Sequence, residues 1–168
     1  MILKVSEETK IMAWEFLQKN NIGNRGVADG NMIEQFVGLI GEIEVKKLFG
    51  KPIDLIAGFD GGFDFKIDHK KADVKTMGRN VDVKDDYVNN FIAYQKHFDC
   101  DIYIFCSLNK KKNELTICGW VTKDQLISRS EKYKEGAERK RSDGTSFFTK
   151  APLYEIKNNQ LNNIKELL

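Results

Sequence analysis

The sequence has few cysteines, no CxxC pair and no long apolar run, and each shortage argues against a class of protein. The three cysteines, Cys100, Cys106 and Cys118, are odd in number, so they indicate neither a zinc knuckle nor a disulfide framework. No stretch approaches the roughly 18 apolar residues of a membrane-spanning helix. These features are typical of a soluble cytoplasmic protein without a membrane partner, and we expect one here.

The chain also lacks a strong net charge. Its 27 Lys and Arg residues nearly balance 25 Asp and Glu residues, which leaves a formal net charge of +2. Total charge therefore neither requires nor excludes a nucleic-acid partner, and any phosphate-binding surface must be local. With 168 residues, 41% hydrophobic side chains and no internal repeat, the sequence predicts a single domain over residues 1–168.

Two helices are predicted near the beginning of the chain. Ser6, followed by acidic residues, is typical of a helix N-cap, and this first helix is expected to end near Asn20. Apolar residues at helical spacing predict a second helix from about Asn31 to Phe49, ended by Gly50 and Pro52.

A charged hairpin is predicted after Gly61 and Gly62. Strand-like segments cover about 63–67 and 72–77, and the polar DHKK between them is the expected turn. That turn places Asp64 opposite Lys75 and Lys66 opposite Asp73 on one face, with apolar residues on the other. A slip of one residue would break this arrangement.

A carboxylate of the second helix is expected to join this charged face. Glu42 lies near Gly38 and Gly41, which allow a helix to approach another element closely. Carboxylates gathered in this way are costly unless a cation lies among them, although ordinary surface salt pairs are the alternative. Mg²⁺, for which Mn²⁺ can substitute, binds a few carboxylate and carbonyl oxygens and several waters. A lysine beside the metal orients or deprotonates a water, so the pattern indicates phosphodiester hydrolysis.

These residues resemble the PD-(D/E)xK nuclease superfamily, whose pattern is a helical Glu, an Asp on one strand, and Asp or Glu, any residue and Lys on the next. The matching residues are Glu42 in GLIGEIEV, Asp64 in GGFDF and Asp73-Val74-Lys75 in KADVKT. The resemblance covers about residues 31–127. It implies an α/β fold with a restriction-endonuclease-like αβββαβ core, in which helices flank a central mixed sheet. It further implies metal ligation by Asp64, Asp73, Val74 and Glu42, and a catalytic set made of Glu42, Asp64, Asp73 and Lys75.

Some assignments within this pattern stay open. The alternatives to the helical glutamate and to the first aspartate are Glu34, Glu44, Asp60 and Asp68. The segment Asp82-Val83-Lys84 repeats the D-x-K spelling, but its surroundings are too charged for a central strand. No proline precedes Asp64, which departs from the full pattern of the superfamily.

The last 40 residues begin with a basic segment. Residues 129–150 contain seven Lys or Arg against four Asp or Glu, and we predict a basic loop there, followed by a strand and a closing helix up to residue 168. Contacts with nucleic-acid phosphates are predicted for Arg139, Lys140, Arg141, Arg25 and Lys150.

The resemblance implies a Mg²⁺-dependent endonuclease that cleaves DNA. Two-fold symmetry matches that of duplex DNA, so a homodimer is the expected assembly. The alternatives are a non-catalytic nucleic-acid-binding or assembly domain with the same fold, and a structure-specific resolvase or exonuclease. The sequence does not distinguish these, nor DNA from RNA.

Overall fold

Three α-helices carry capping signals that the sequence predicted. The computed structural model describes residues 1–20, 30–57, 61–140 and 144–168. Its helices are α1 (Glu7–Lys19), α2 (Met32–Leu48) and α3 (Lys123–Arg129). The Ser6 side chain accepts the Thr9 N–H at the start of α1, and capping boxes begin both α2 and α3. The predicted starts of the first two helices are therefore confirmed.

The centre of the structure is a mixed five-stranded sheet. The strands of the described residues are β1 (Ile2–Lys4), β2 (Phe65–Ile67), β3 (Lys70–Arg79), β4 (Val88–Ile92), β5 (Ile102–Asn109), β6 (Glu114–Thr122), β7 (Glu131–Tyr133), β8 (Glu138–Lys140), β9 (Ser146–Phe148) and β10 (Leu153–Lys157). The central sheet has the order β1-β6-β5-β3-β2, with β3 and β5 parallel and the other pairs antiparallel. The predicted α/β fold with a mixed sheet flanked by helices is confirmed.

The central sheet is buried on both faces, and side chains of β5 alternate between two apolar cores. Ile102 and Ile104 pack into the core formed with α1 and α2. Tyr103 and Phe105 point to the opposite face, where an aromatic core also contains Phe91 from β4. Every residue of β5 is buried, as expected for the central strand of a covered sheet.

The C-terminal part differs from the prediction. The basic segment forms the short strands β7, β8 and β9, and two 3-10 turns, Asn158–Gln160 and Ile164–Glu166, stand where a closing helix was expected. Asparagines explain the difference, because their side chains and backbones bond elsewhere. The Asn158 side chain donates to the Lys84 carbonyl at 2.7 Å, and Asn162 exchanges backbone hydrogen bonds with Trp120.

The register of the β2–β3 hairpin also differs from the prediction. Phe65 pairs with Ala72 and Lys66 with Lys71, so the turn is shorter than DHKK and Asp64 does not stand opposite Lys75. The reason is Asp68, whose φ of 53° gives the left-handed conformation that a two-residue hairpin turn requires. The shift amounts to two residues, and since strand side chains alternate with a period of two, Asp73 and Lys75 still share one face of β3.

Candidate functional site

The side chain of Asp64 continues the hairpin beyond the point where β2 begins. The Asp64 N–H donates to the Ala72 carbonyl at 2.8 Å, and its Oδ2 accepts the Val74 N–H at 2.7 Å. The N–H and C=O of one strand residue face the same neighbouring strand, so the Val74 carbonyl faces the same edge of β3 as Asp64. A carboxylate and a backbone carbonyl thus share this short edge.

Asp73 and Lys75 form an ion pair on the adjoining face of β3. Lys75 Nζ lies 2.6 Å from Asp73 Oδ2, and the Asp73 side chain is 8% exposed while that of Lys75 is 24% exposed. Tyr103 lies beside Asp73 in the register with β5, at the border of the aromatic core. The carboxylate is therefore shielded from solvent, whereas the ammonium group keeps access to it.

Three carboxylates share one electrostatic environment at this edge. Burial raises the pKa of Asp64 well above its usual range, and the negative charges of Asp73 and Glu42 raise it further. The positive charge of Lys75 and the hydrogen bond from Val74 act in the opposite direction but do not cancel the rise. A buried carboxyl group held near two others is typical of a cation-binding or catalytic site.

Gly41 brings Glu42 to this group from the other side of β3. A Cβ atom at Gly41 would overlap Thr76 Oγ1 and lie 2.8 Å from Thr76 Cβ, so α2 approaches the strand more closely than any other residue would permit. Thr76 lies two residues beyond Val74, on the face of β3 that packs against α2. Glu42, the next residue of the helix, thereby comes within electrostatic reach of Asp64.

The alternatives that the sequence left open occupy other places. Glu34 completes the capping box of α2 with Asn31 and is exposed. Glu44 is buried toward α1, where it accepts a hydrogen bond from the Thr9 hydroxyl. Asp68 is exposed in the hairpin turn.

Two further aspartates were also considered. Asp82 is exposed between β3 and β4, where it binds Lys112 and Asn109. Asp60 lies outside the described residues. Of the candidates that the structure describes, the ones that come together are Glu42, Asp64, Asp73 and Lys75.

No family model, curated protein or solved structure matches this chain. The resemblance to the PD-(D/E)xK nucleases therefore depends on the quoted residues and on where the fold places them.

The structure adds Lys46, which the sequence analysis missed. This lysine is 1% exposed, and its ammonium group donates to Glu42 Oε1 at 2.8 Å, to Asp54 Oδ1 at 3.0 Å and to the Asp54 carbonyl at 3.1 Å. Burial acts to lower the pKa of Lys46, but the two carboxylates outweigh it and the pKa is raised. A signal was present, because Lys46 follows Glu42 by four residues and Ile43 by three, on the apolar side of the helix.

The predicted phosphate contacts have different outcomes. Arg139 binds Glu155 through two hydrogen bonds, at 3.1 and 2.6 Å, and stacks 3.7 Å from the centre of the Tyr133 ring. Its guanidinium group is thus engaged inside the protein, with a carboxylate that is buried. Lys140 and Lys150 are exposed. Arg25 and Arg141 lie outside the described residues.

The donors at the edge of β3 are few. Within residues 1–20, 30–57, 61–140 and 144–168, no three His, Cys, Asp or Glu side chains are grouped so as to hold a metal ion by themselves. Asp64, Asp73 and the Val74 carbonyl are the oxygen donors that lie nearest to one another along the hairpin. In the same part of the chain, no helix is long and apolar enough to cross a membrane.

Proposed function

We propose that the chain is a metal-dependent endonuclease of the PD-(D/E)xK type that hydrolyses DNA phosphodiester bonds. One observation carries the proposal: Asp64, bonded to the Val74 N–H, shares its environment with the Asp73–Lys75 ion pair and with Glu42. Carboxylates that repel one another beside a solvent-accessible lysine suit a site that holds a cation and a phosphate.

The oxygen donors fit Mg²⁺ or Mn²⁺. Asp64, Asp73 and the Val74 carbonyl would hold the ion, and Glu42 would support them, directly or through water. Hard oxygen ligands, few in number and completed by waters, are what Mg²⁺ prefers, which agrees with a site built from two aspartates rather than three clustered acidic residues. When bound there, the ion supplies Lewis-acid stabilisation of phosphate charge and lowers the pKa of a water.

Lys75 would act on the attacking water. Its ammonium group is 24% exposed and is oriented by Asp73 at 2.6 Å, so it has a donor hydrogen available toward solvent for a water or a phosphate oxygen. The water oxygen forms a bond to phosphorus as the bond from phosphorus to the leaving oxygen breaks. The water proton leaves, and the products are one phosphate end and one hydroxyl end, without a covalent enzyme intermediate. Lys75 stabilises the charge that builds on the phosphate oxygens.

The partner would be DNA inside a cell, and the assembly a homodimer. One site of this kind cuts one strand, and a two-fold pair of sites matches the symmetry of the two strands of a duplex. Exposed Lys140 and Lys150 remain candidate phosphate contacts.

Cleavage assays test the proposal directly. Purified protein is incubated with supercoiled plasmid, linear duplex and a branched junction, each with Mg²⁺, with Mn²⁺ or with a chelator. We expect nicking or linearisation of plasmid that requires metal and is lost in Lys75→Ala and Asp64→Asn. The matched controls are Lys70→Ala and Asp68→Asn, which make the same changes in the same hairpin away from the carboxylate group and should cleave normally.

Three outcomes would overturn the proposal. Cleavage by Lys75→Ala at the wild-type rate would remove the assigned site. Cleavage restricted to linear ends would make the protein an exonuclease, and cleavage of the junction alone would make it a resolvase. Binding of DNA without cleavage of any substrate under either metal would instead favour a non-catalytic nucleic-acid-binding domain with this fold.

A further inference from the structure

Two lysines stand directly opposite each other on the hairpin that carries the carboxylates. Lys66 of β2 pairs with Lys71 of β3. Like charges at directly opposed positions of an antiparallel pair are destabilising. Lys71 is partly compensated, because it forms an ion pair with Asp99 and lies 5.3 Å from the centre of the Phe63 ring. Lys66 is exposed to solvent.

Both lysines lie on the face that carries the Asp73–Lys75 pair. Lys71 precedes Asp73 by two residues on β3, and strand side chains two apart point the same way. A rise of about 3.4 Å per residue places Lys71 about 7 Å from Asp73 along the strand. Lys66 follows Asp64 by the same interval. The two ammonium groups therefore flank the carboxylates on their turn-proximal side.

A polyanionic substrate requires such cations. The edge with Asp64, Asp73 and Glu42 repels a phosphate backbone, and Lys75 is held by Asp73. Arg139, a predicted phosphate contact, is bound to Glu155. A phosphate beside Lys66 and Lys71 would relieve their mutual repulsion and offset the repulsion from the carboxylates at once.

We propose that Lys66 and Lys71 bind a backbone phosphodiester group next to the one that lies at the carboxylate edge. The inference rests on the proposed function for the identity of the neighbouring phosphate, but the phosphate site itself is measurable without cleavage. The shared chemistry is a nucleic-acid backbone, and DNA and RNA are separate arms of the test.

The test compares Lys66→Gln with Lys70→Gln. Lys70 is also exposed and immediately precedes Lys71, but its side chain alternates to the other face of β3, so the variant removes the same charge from the same hairpin. Affinity for duplex DNA and for duplex RNA is measured by fluorescence anisotropy in chelator, over a series of salt concentrations. Thermal unfolding of each variant is measured in parallel, and Lys66→Gln is expected to unfold no earlier than wild type because a like-charge contact is removed.

Loss of one phosphate contact should reduce the salt slope by about 0.9, which corresponds to about eightfold weaker binding near 0.1 M salt. We expect that loss in Lys66→Gln and less than a twofold change in Lys70→Gln, with the polymer that shows it being the substrate. Equal losses in both variants, or no loss in Lys66→Gln, would overturn the inference even if the wild type cleaves. A specific loss in Lys66→Gln without wild-type cleavage of any substrate would support the phosphate site and overturn the nuclease proposal.

Discussion

The contact between Gly41 and Thr76 provides the most direct test of how α2 delivers Glu42. In Gly41→Ala the new methyl group would overlap Thr76 Oγ1 and lie 2.8 Å from Thr76 Cβ. Rotation of Thr76 relieves the first contact but not the second, because Cβ is bonded to the backbone of β3. That strand is paired with the buried strand β5, so the helix must move instead. Gly38 is the matched control, since a Cβ there would have no atom within 4 Å.

The expected difference follows from two opposing effects. Alanine is favoured over glycine inside a helix by about 1 kcal/mol, and this gain applies at both positions. Overpacking a close contact costs up to about 3 kcal/mol, and this cost applies at Gly41 alone. Gly38→Ala should therefore raise the free energy of unfolding by about 1 kcal/mol, while Gly41→Ala should lower it by about 2 kcal/mol.

Equilibrium unfolding in urea measures both values. Adding Thr76→Gly to Gly41→Ala removes the obstructing side chain, so the double variant should lose less stability than the sum of its single variants. Plasmid cleavage by Gly41→Ala should fall as Glu42 moves away from Asp64, whereas Gly38→Ala should cleave normally. Equal free energies of unfolding for the two alanine variants would refute the close approach of helix and strand.

Three further predictions concern charges in the fold. Asp64→Asn keeps an acceptor for the Val74 N–H and removes a buried charge from among other carboxylates, so urea unfolding should show about 1 kcal/mol of added stability while plasmid cleavage is lost; a destabilised variant would contradict this. Lys46→Met leaves Glu42 without its buried partner and should lower the free energy of unfolding by about 3 kcal/mol, and an unchanged urea midpoint would count against that role. Arg139→Ala should cost about 3 kcal/mol, because the Glu155 carboxylate stays buried, whereas thermal unfolding of Lys140→Ala should be nearly unchanged; similar effects in both would argue against the internal ion pair.

Local signals in the sequence determined much of the fold. Caps such as Ser6 and Thr122 act over three residues, so they predict helix starts without knowledge of the rest of the chain. The alternation of charged and apolar residues around Asp73 predicted which side chains share a face. That prediction survived a wrong register because a shift of two residues leaves the faces of a strand unchanged.

Contacts between distant residues decided the rest. The hairpin turn depended on a left-handed Asp68, a conformation that the sequence permits but does not require. The choice among the helical glutamates depended on partners elsewhere: Glu44 binds Thr9, 35 residues away, whereas Glu42 is left beside Asp64 by the close contact at Gly41.

The basic segment makes the same distinction. The sequence determined that Arg139 is a cation in a positively charged stretch, but only the tertiary structure placed it against Glu155, 16 residues later on another strand. Lys66 and Lys71, which the composition does not single out, were brought to the carboxylate face by strand pairing. A sequence lists charges along a chain, whereas electrostatic interactions act through space and are decided by which charges the fold brings together.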